Sequence, residues 1–392
     1  MKKFLSVLLS VCMLLSVCAA LAGCGSAEEQ ENKPAVNAVP DEENPFLGTG
    51  TLTLNVYNWG EYISDGFEGS LDTVAAFEEW FEATYGHKVK VNYSTFASNE
   101  DMYSKLSSDA VSYDVIIPSD YMIAKMISDD MLLPLNYENI PNYQYINESF
   151  RGLYYDPDNL YTVPYTYGVV GIIYDANVVD PEDVGDWDLL WNEKYSGKIL
   201  QFNNSRDAFG TAQYKLGLDV NDTDRASWDL ALQELQKQEP LVQNYVMDEV
   251  YNMMEIGEAS IAAYYAGDYF TMLDAQADDV DLRFYYPERT NYFVDAMCIP
   301  KGCQNQRLAE EFINFMLSEE VAIANAEFIY YASPNSLVYE NEGYREDMGE
   351  EAMEILYPGI ENFSELYNAY AFRNLDQDTL DYISDLWRTL RS

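Results

Sequence analysis

The sequence predicts an α/β protein built on mostly parallel sheet, and three observations carry that prediction. Strand-like and helix-like segments alternate at short intervals from residue 51 onward. The third strand is almost wholly apolar at its centre, as a strand covered on both faces must be. With 392 residues, 48% of them hydrophobic, the chain can bury a large core, as one big domain or as two lobes of ordinary size.

Residues 1–50 precede that alternation. Lys2 and Lys3, the apolar run FLSVLLSVCMLL and small residues leading to LAGC make a secretory leader over 1–23. The run is short for a bilayer span, and no later apolar run approaches that length. LAGC resembles the bacterial lipobox, which implies cleavage before Cys24, acylation of that cysteine and firm attachment to a membrane surface. Residues 24–50, polar, acidic and rich in Pro and Gly, read as a lipidated flexible linker.

The elements of the body follow in order. TLTLNVYNW, residues 51–59, alternates as a first strand and runs into a loop. Residues 70–85 predict a helix with Leu71, Val74, Phe77 and Phe81 as its apolar stripe, Ser70 as N-cap and Gly86 as terminator. VKVNY at 89–93 is a second strand, NEDMYSKLSS a short helix, YDVIIPSD at 113–120 a third strand and YMIAKMISDD another short helix. Ligands of such sheets bind beyond the carboxyl ends of the strands, which is where YNWGEY and PSDY lie. Residues 163–175 form a long extended passage, and 181–197 a loop with two tryptophans. A second strand–helix region runs to about residue 290, a strand returns at 292–300, a helix covers 308–319, and 341–392 is mostly helical. No internal repeat stands out.

Charge and composition exclude several functions. The formal charge is −45, and loss of Lys2 and Lys3 with the leader makes it −47. Such a body repels nucleic acid and anionic lipid and tolerates cationic solutes. Beyond the leader and Cys24 only Cys298 and Cys303 remain; an extracellular location permits a disulfide between them, and their spacing does not demand one. The single histidine, His87, sits where a turn opens a strand, so neither a zinc site nor a base for Ser119 is at hand. Paired carboxylates can cut glycosides, the one hydrolytic chemistry left open.

The chain holds 34 tyrosines, 6 tryptophans and 17 phenylalanines. Most must be core or surface filler, as Trp80 within its helix is. Loop aromatics beside acids suit a protonated amine, whose charge meets carboxylates while rings cover its carbons. Asp295 lies in the apolar run YFVDAMCI, where a charge is costly without a partner; an arginine or a ligand ammonium would serve. Asp207 follows Arg206, so an ion pair or a helix cap competes with ligand contact there.

YNWGEY at 57–62, STFASNEDMYSKL at 94–106, YDVIIPSDY at 113–121 and VDAMCIP at 294–300 resemble the spermidine/putrescine-binding proteins of bacterial ABC importers. The likeness covers essentially the whole chain after residue 50. It implies a two-lobed periplasmic-binding-protein-like fold (type II) with mostly parallel sheets and crossing hinge strands. Lobe 1 would take 51–167 plus 295–339, and lobe 2 168–294 plus 340–392. It further implies capture of putrescine or spermidine by a monomer anchored on the extracellular face of the cell membrane, lobe closure, and delivery to ABC permease transmembrane subunits. It implies no catalytic residues, no cofactor and no metal. The same frame would suit another organic cation, such as agmatine or a quaternary amine, or a polyamine sensor outside transport.

The family's aromatic wall falls here on Trp59, Tyr62, Tyr121, Tyr265, Phe293 and Tyr331, its backbone or hydroxyl contacts on Gly60 and Ser119, and its return-strand acid on Asp295. A pair of family acids falls in NNSRDAF, 203–209. The second is kept in type as Asp207; the first is Asn204, whose amide accepts a hydrogen bond but neutralises no ammonium. That change favours a ligand with fewer charges. Glu61, Asp120 and Asp268 flank the expected wall and could replace the missing charge, and Tyr367 is a candidate to close the far end of the cleft.

Overall fold

A computed structural model of the chain describes residues 39–108, 111–360 and 363–392. The leader and the acylation site Cys24 lie outside the described residues. Among those described, no helix is long and apolar enough to cross a membrane.

Nine strands form one mixed sheet: β1 (Leu52–Trp59), β2 (Val89–Phe96), β3 (Val115–Ile116), β4 (Thr162–Asp175), β5 (Ile199–Phe202), β6 (Val242–Val246), β7 (Ile261–Tyr265), β8 (Leu282–Tyr285) and β9 (Tyr292–Cys298). Their order is β2-β1-β3-β9-β4-β7-β5-β6, with β8 added beside β4. β1 pairs in parallel with β2 and β3, and β5 with β6 and β7. These two parallel groups are joined only by antiparallel pairs. β4 takes β9 along Thr162–Val169 and β7 along Val170–Tyr174. Thirteen of the fourteen β4 residues are buried, as a strand shared by two covered half-sheets requires.

The parallel strands feed helices α1 (Thr73–Tyr85), α2 (Asn99–Ser107), α3 (Asp120–Ser128), α4 (Ser205–Leu216), α5 (Arg225–Gln238), α6 (Glu249–Glu255) and α7 (Ala266–Ala275). After β9 come α8 (Gln306–Met316), α9 (Glu319–Ile329), α10 (Ser336–Tyr339), α11 (Glu342–Met348), α12 (Glu350–Leu356), α13 (Phe363–Tyr370) and α14 (Gln377–Leu390). The last of these packs back on α5 and α4, so the chain ends beside the second parallel group.

Three local expectations change. The first helix opens at Thr73, with Asp72 rather than Ser70 as N-cap: Asp72 accepts from the Ala75 N–H, while a β-bridge from Asp65 to Asp72 keeps the preceding residues extended. The third strand forms ladder bonds only at Val115–Ile116. Residues 39–50, read as the end of a linker, are docked on α1: Phe46 is 2% exposed, with its ring 4.9 Å from Phe81 and 5.0 Å from Tyr85. Asn44 ties the same segment down through its amide to the Tyr85 carbonyl. Cys298 and Cys303 are both free thiols.

Candidate functional site

The carboxyl ends of β1, β2, β3, β5, β6 and β7 converge on one cavity of about 990 Å³, counted to its open mouth. All eleven residues singled out from the sequence line it. The end of β1 and the loop beyond bring Trp59, Gly60 and Tyr62; the loop entering α3 brings Ser119 and Tyr121; the start of α4 brings Asn204 and Asp207. Tyr265 ends β7, Phe293 and Asp295 stand on β9, and Tyr331 follows α9. Sheet register explains why distant residues meet: Asp295 lies opposite Thr166 and Phe293 opposite Gly168 on β4, and Tyr265 lies opposite Val170.

Four rings of the aromatic wall touch in series, while Trp59 packs on Phe96 and Tyr121 on Phe372. Tyr62 meets Tyr331 edge-on at 5.0 Å, Tyr331 lies 6.3 Å from Phe293, and Phe293 lies 5.5 Å from Tyr265. Two glycines make room for it. A Cβ on Gly267 would sit 2.3 Å from the Tyr331 ring, and one on Gly168 would sit 2.8 Å from Phe293, so any larger residue would displace a ring.

Seven carboxylates line the cavity, from Glu61, Glu100, Asp120, Asp207, Asp248, Asp268 and Asp295, and no lysine, arginine or histidine does. Their donors are neutral. Asp295, 4% exposed, takes the Tyr62 hydroxyl on Oδ2 at 2.7 Å, and its Oδ1 has no hydrogen-bond partner among the described residues. No arginine answers it. Asp207 accepts from the Asn204 amide at 2.7 Å and the Tyr265 hydroxyl at 2.9 Å. Arg206 forms no ion pair with it: its guanidinium points to the Val220 carbonyl and Asn221 and lies over Phe372. Asn204 also caps α4 by accepting the Asp207 N–H, so both its polar atoms serve Asp207.

Burial sets the ionisation of these acids. It pushes Asp295 up to about 6, against the Tyr62 hydroxyl bonded to it and the Ser119 hydroxyl nearby, both of which favour the charge. Burial likewise raises Asp120 and Asp268 to about 7 each, and it raises Asp207 and Glu100. A cation entering the cavity would supply the counter-charge that these groups lack.

The three flanking acids separate. Asp120 is spent on the fold: it accepts from the Tyr121 N–H, the Val294 N–H and the Tyr367 hydroxyl, and so ties α3 to β9 and α13. Glu61 stands exposed at the rim. Asp268, half-buried on the first turn of α7, lines the cavity near the hydroxyls of Tyr251 and Tyr331. Tyr367 is fully buried behind Asp120 and does not line the cavity; Phe372 closes that end instead. The sequence reading placed Met247 where the family has a hydroxyl, and it lines the cavity; the reading missed Glu100, Asp248 and Tyr251. Met247 and Asp248 follow directly on β6 as PSDY follows β3, and that positional rule was the signal available.

The comparisons with known proteins agree with this geometry. The family model described as bacterial extracellular solute-binding protein matches residues 72–350. The spermidine/putrescine-binding periplasmic protein of Escherichia coli is 32% identical over 285 residues, 72% of this chain and 78% of its own. The putrescine-binding periplasmic protein SpuD of Pseudomonas aeruginosa is 26% identical over 358 residues, 86% of this chain and 92% of its own. Among solved structures, the spermidine/putrescine ABC transporter substrate-binding protein PotD from Streptococcus pneumoniae is 32% identical, with a TM-score of 0.69 over 87% of this chain and 98% of its own. With a cleft at the strand ends, lined by rings and acids, and a match running through both half-sheets, the chain belongs to the bacterial extracellular solute-binding protein family.

Proposed function

We propose that this protein captures a polyamine outside the cell and delivers it to an ABC permease, without transforming it. One observation carries the reading: seven carboxylates and an aromatic wall surround one cavity that no basic side chain among the described residues lines. Protonated amines linked by methylenes need that combination. The names of the relatives support the choice of ligand. Trp59, Tyr62, Tyr121, Tyr265, Phe293 and Tyr331 cover the carbons, Asp295 and Asp207 meet the ammonium ends, Ser119 and Gly60 contact the ligand from strand ends, and Asn204 holds Asp207 in place.

The mature chain is a monomer held by acylated Cys24 on the extracellular face of the membrane. Two lobes, 51–167 with 295–339 and 168–294 with 340–392, close over the amine. Two of their three borders fall within β4 and β9, the strands that join the two parallel groups, and the third follows α10. The closed form is what the permease subunits accept. Calorimetric titration of the full-length chain in detergent with putrescine, spermidine and agmatine tests the reading. Saturable heat with putrescine or spermidine is expected; heat with agmatine alone, or with none, would overturn it.

A further inference from the structure

Tyr62 belongs to the loop beyond β1 and is buried although its own stretch of chain is neither strand nor helix. Its hold comes from β4. The register between β4 and β9 slips after Pro164: Pro164 lies opposite Ala296 and Thr166 opposite Asp295, so Tyr165 is an extra residue. Bulges of this kind re-aim side chains beside binding sites. In a regular strand Tyr165 and Thr166 would leave opposite faces of the sheet. Here both reach Tyr62. The Tyr165 hydroxyl donates to the Tyr62 carbonyl at 3.0 Å, and the Thr166 hydroxyl lies 2.6 Å from the Tyr62 phenol oxygen.

The direction of that second bond follows from the protons available. The Tyr62 phenol carries a single proton and donates it to Asp295 Oδ2 at 2.7 Å. An ionised Asp295 has none to return. The bond between the two hydroxyls therefore uses the threonine proton, with Thr166 as donor. Thr166, Tyr62 and Asp295 thus form a directed chain, buried along its length. Each donor polarises the next, and the chain favours the charged form of the acid at its end. The phenol itself shows the same direction. Burial, and after it the Asp295 charge, hold Tyr62 well above the usual phenol range, and Thr166 acts against both, as a donor to the phenol oxygen does. Thr166 does not line the cavity, so what it does to a ligand it does through Tyr62.

We propose that Thr166 is a positioning residue of the binding site: from the β4 bulge it fixes the Tyr62 phenol as a donor to Asp295 and keeps that carboxylate charged for an ammonium. The ammonium is left Oδ1, the Asp295 oxygen without a hydrogen-bond partner among the described residues. The assignment rests on the polyamine reading above. The other groups around Asp295 stay in place when Thr166 changes. They are Ser119 and Asp120 at the start of α3, the latter raised by burial and further by the Asp295 charge. Tyr165 on β4 and Tyr331 beyond α9 pack against the Tyr62 ring.

The test is a double-mutant cycle on the full-length chain: unchanged, Thr166→Val, Tyr62→Phe and both together, with Thr166→Ser beside them, each checked for an intact melting transition. Calorimetry with putrescine and spermidine at pH 8 and pH 6 reads affinity. Thr166→Val keeps the branched shape and removes the hydroxyl. It should weaken both amines about threefold at pH 8 and about sixfold at pH 6, where more of Asp295 is then protonated. In Tyr62→Phe the same change should cost less than about twofold, and Thr166→Ser should stay within about twofold of the unchanged protein. Carbon NMR of the carboxyls in the empty protein, with Asp295 assigned through Asp295→Asn, should show it titrating about half a pH unit higher in Thr166→Val. Should Thr166→Val not fold, Thr166→Ala gives the same comparison. No loss in Thr166→Val, a loss that persists in Tyr62→Phe, a serine that does not restore affinity, or an unmoved Asp295 titration would overturn the assignment. Absence of binding to either amine by the unchanged protein would remove the polyamine reading, and the Asp295 titration would still decide whether Thr166 acts on that carboxylate.

Discussion

Asp295→Asn should strengthen the empty protein and cripple the loaded one. Asp295 is 4% exposed and unmatched by any cation, and burial moves its carboxyl from 3.8 to about 6. That gap is worth about 3 kcal/mol as an upper bound. The sign follows from the direction of the shift. The folded pKa lies above the unfolded one, so the carboxylate weakens the fold fully above pH 6 and ceases to do so as pH falls through 6 toward 4. The amide keeps an acceptor for Tyr62 and removes the charge. Without ligand, Asp295→Asn should therefore melt a few degrees higher than the native chain at pH 7.5, and at nearly the same temperature at pH 4.5. With spermidine that advantage shrinks by about 2.3 kcal/mol. Losing the buried charge partner of an ammonium costs about 3 kcal/mol, about a hundredfold in affinity. Ligand at a hundred times the native Kd stabilises the native chain by about 2.7 kcal/mol and the variant by about 0.4 kcal/mol. Differential scanning calorimetry at the two pH values, with and without spermidine, reads all four quantities. A variant that melts lower when empty, or that keeps its affinity, would refute the claim that this carboxylate is held uncompensated for a cation.

Three further outcomes follow from the same structure. Affinity for a polyamine should fall as pH drops from 8 through 7 and then 6, because Asp268 sits near 7 and Asp295 near 6 and a protonated carboxyl offers no charge; a Kd unchanged from pH 8 to 5 would contradict this. Phe46→Ala should cost about 3 kcal/mol and open residues 39–49 to protease, since the ring is 2% exposed against Phe81 and Tyr85; a variant as stable and as resistant as the native chain would show that the segment is not docked. Arg206→Lys should lower stability by about 1–2 kcal/mol in urea titration, because lysine cannot keep both the Val220 and Asn221 contacts while lying over Phe372; no loss would mean that its charge alone matters.

Much of the fold was legible because each strand–helix unit declares itself locally. The alternation in TLTLNVYNW and the stripe Leu71, Val74, Phe77, Phe81 need no tertiary context, and Gly86 ends α1 in the left-handed conformation that glycine accepts. The start of α1 was less legible because Ser70 and Asp72 are both good caps, and a bridge from Asp65 chooses between them. Phe46 was hidden by its company: one ring among acidic and small residues reads as linker until its partners on α1 are known. In the site, residues at strand ends were visible as chemistry in loops. The role of Asp120 was not, since its partners Val294 and Tyr367 are 174 and 247 residues away. Asn204 read as a lost charge, whereas its amide is committed to Asp207, a local bond that only the cap geometry reveals.

The phenol hydroxyls that hold the cavity's acids bear on how a ligand leaves. Had lysines or arginines held these carboxylates, each arriving cation would have to displace an internal rival, and each departing one would be helped out by that rival's return. Tyr62 on Asp295, Tyr265 on Asp207 and Tyr121 on Glu100 carry no charge, so they are no electrostatic rivals of a cation. Competition for the site therefore comes only from dissolved cations, and nothing inside the protein takes over the carboxylates when it lets go. Emptying such a cavity is work left to whatever pulls its walls apart.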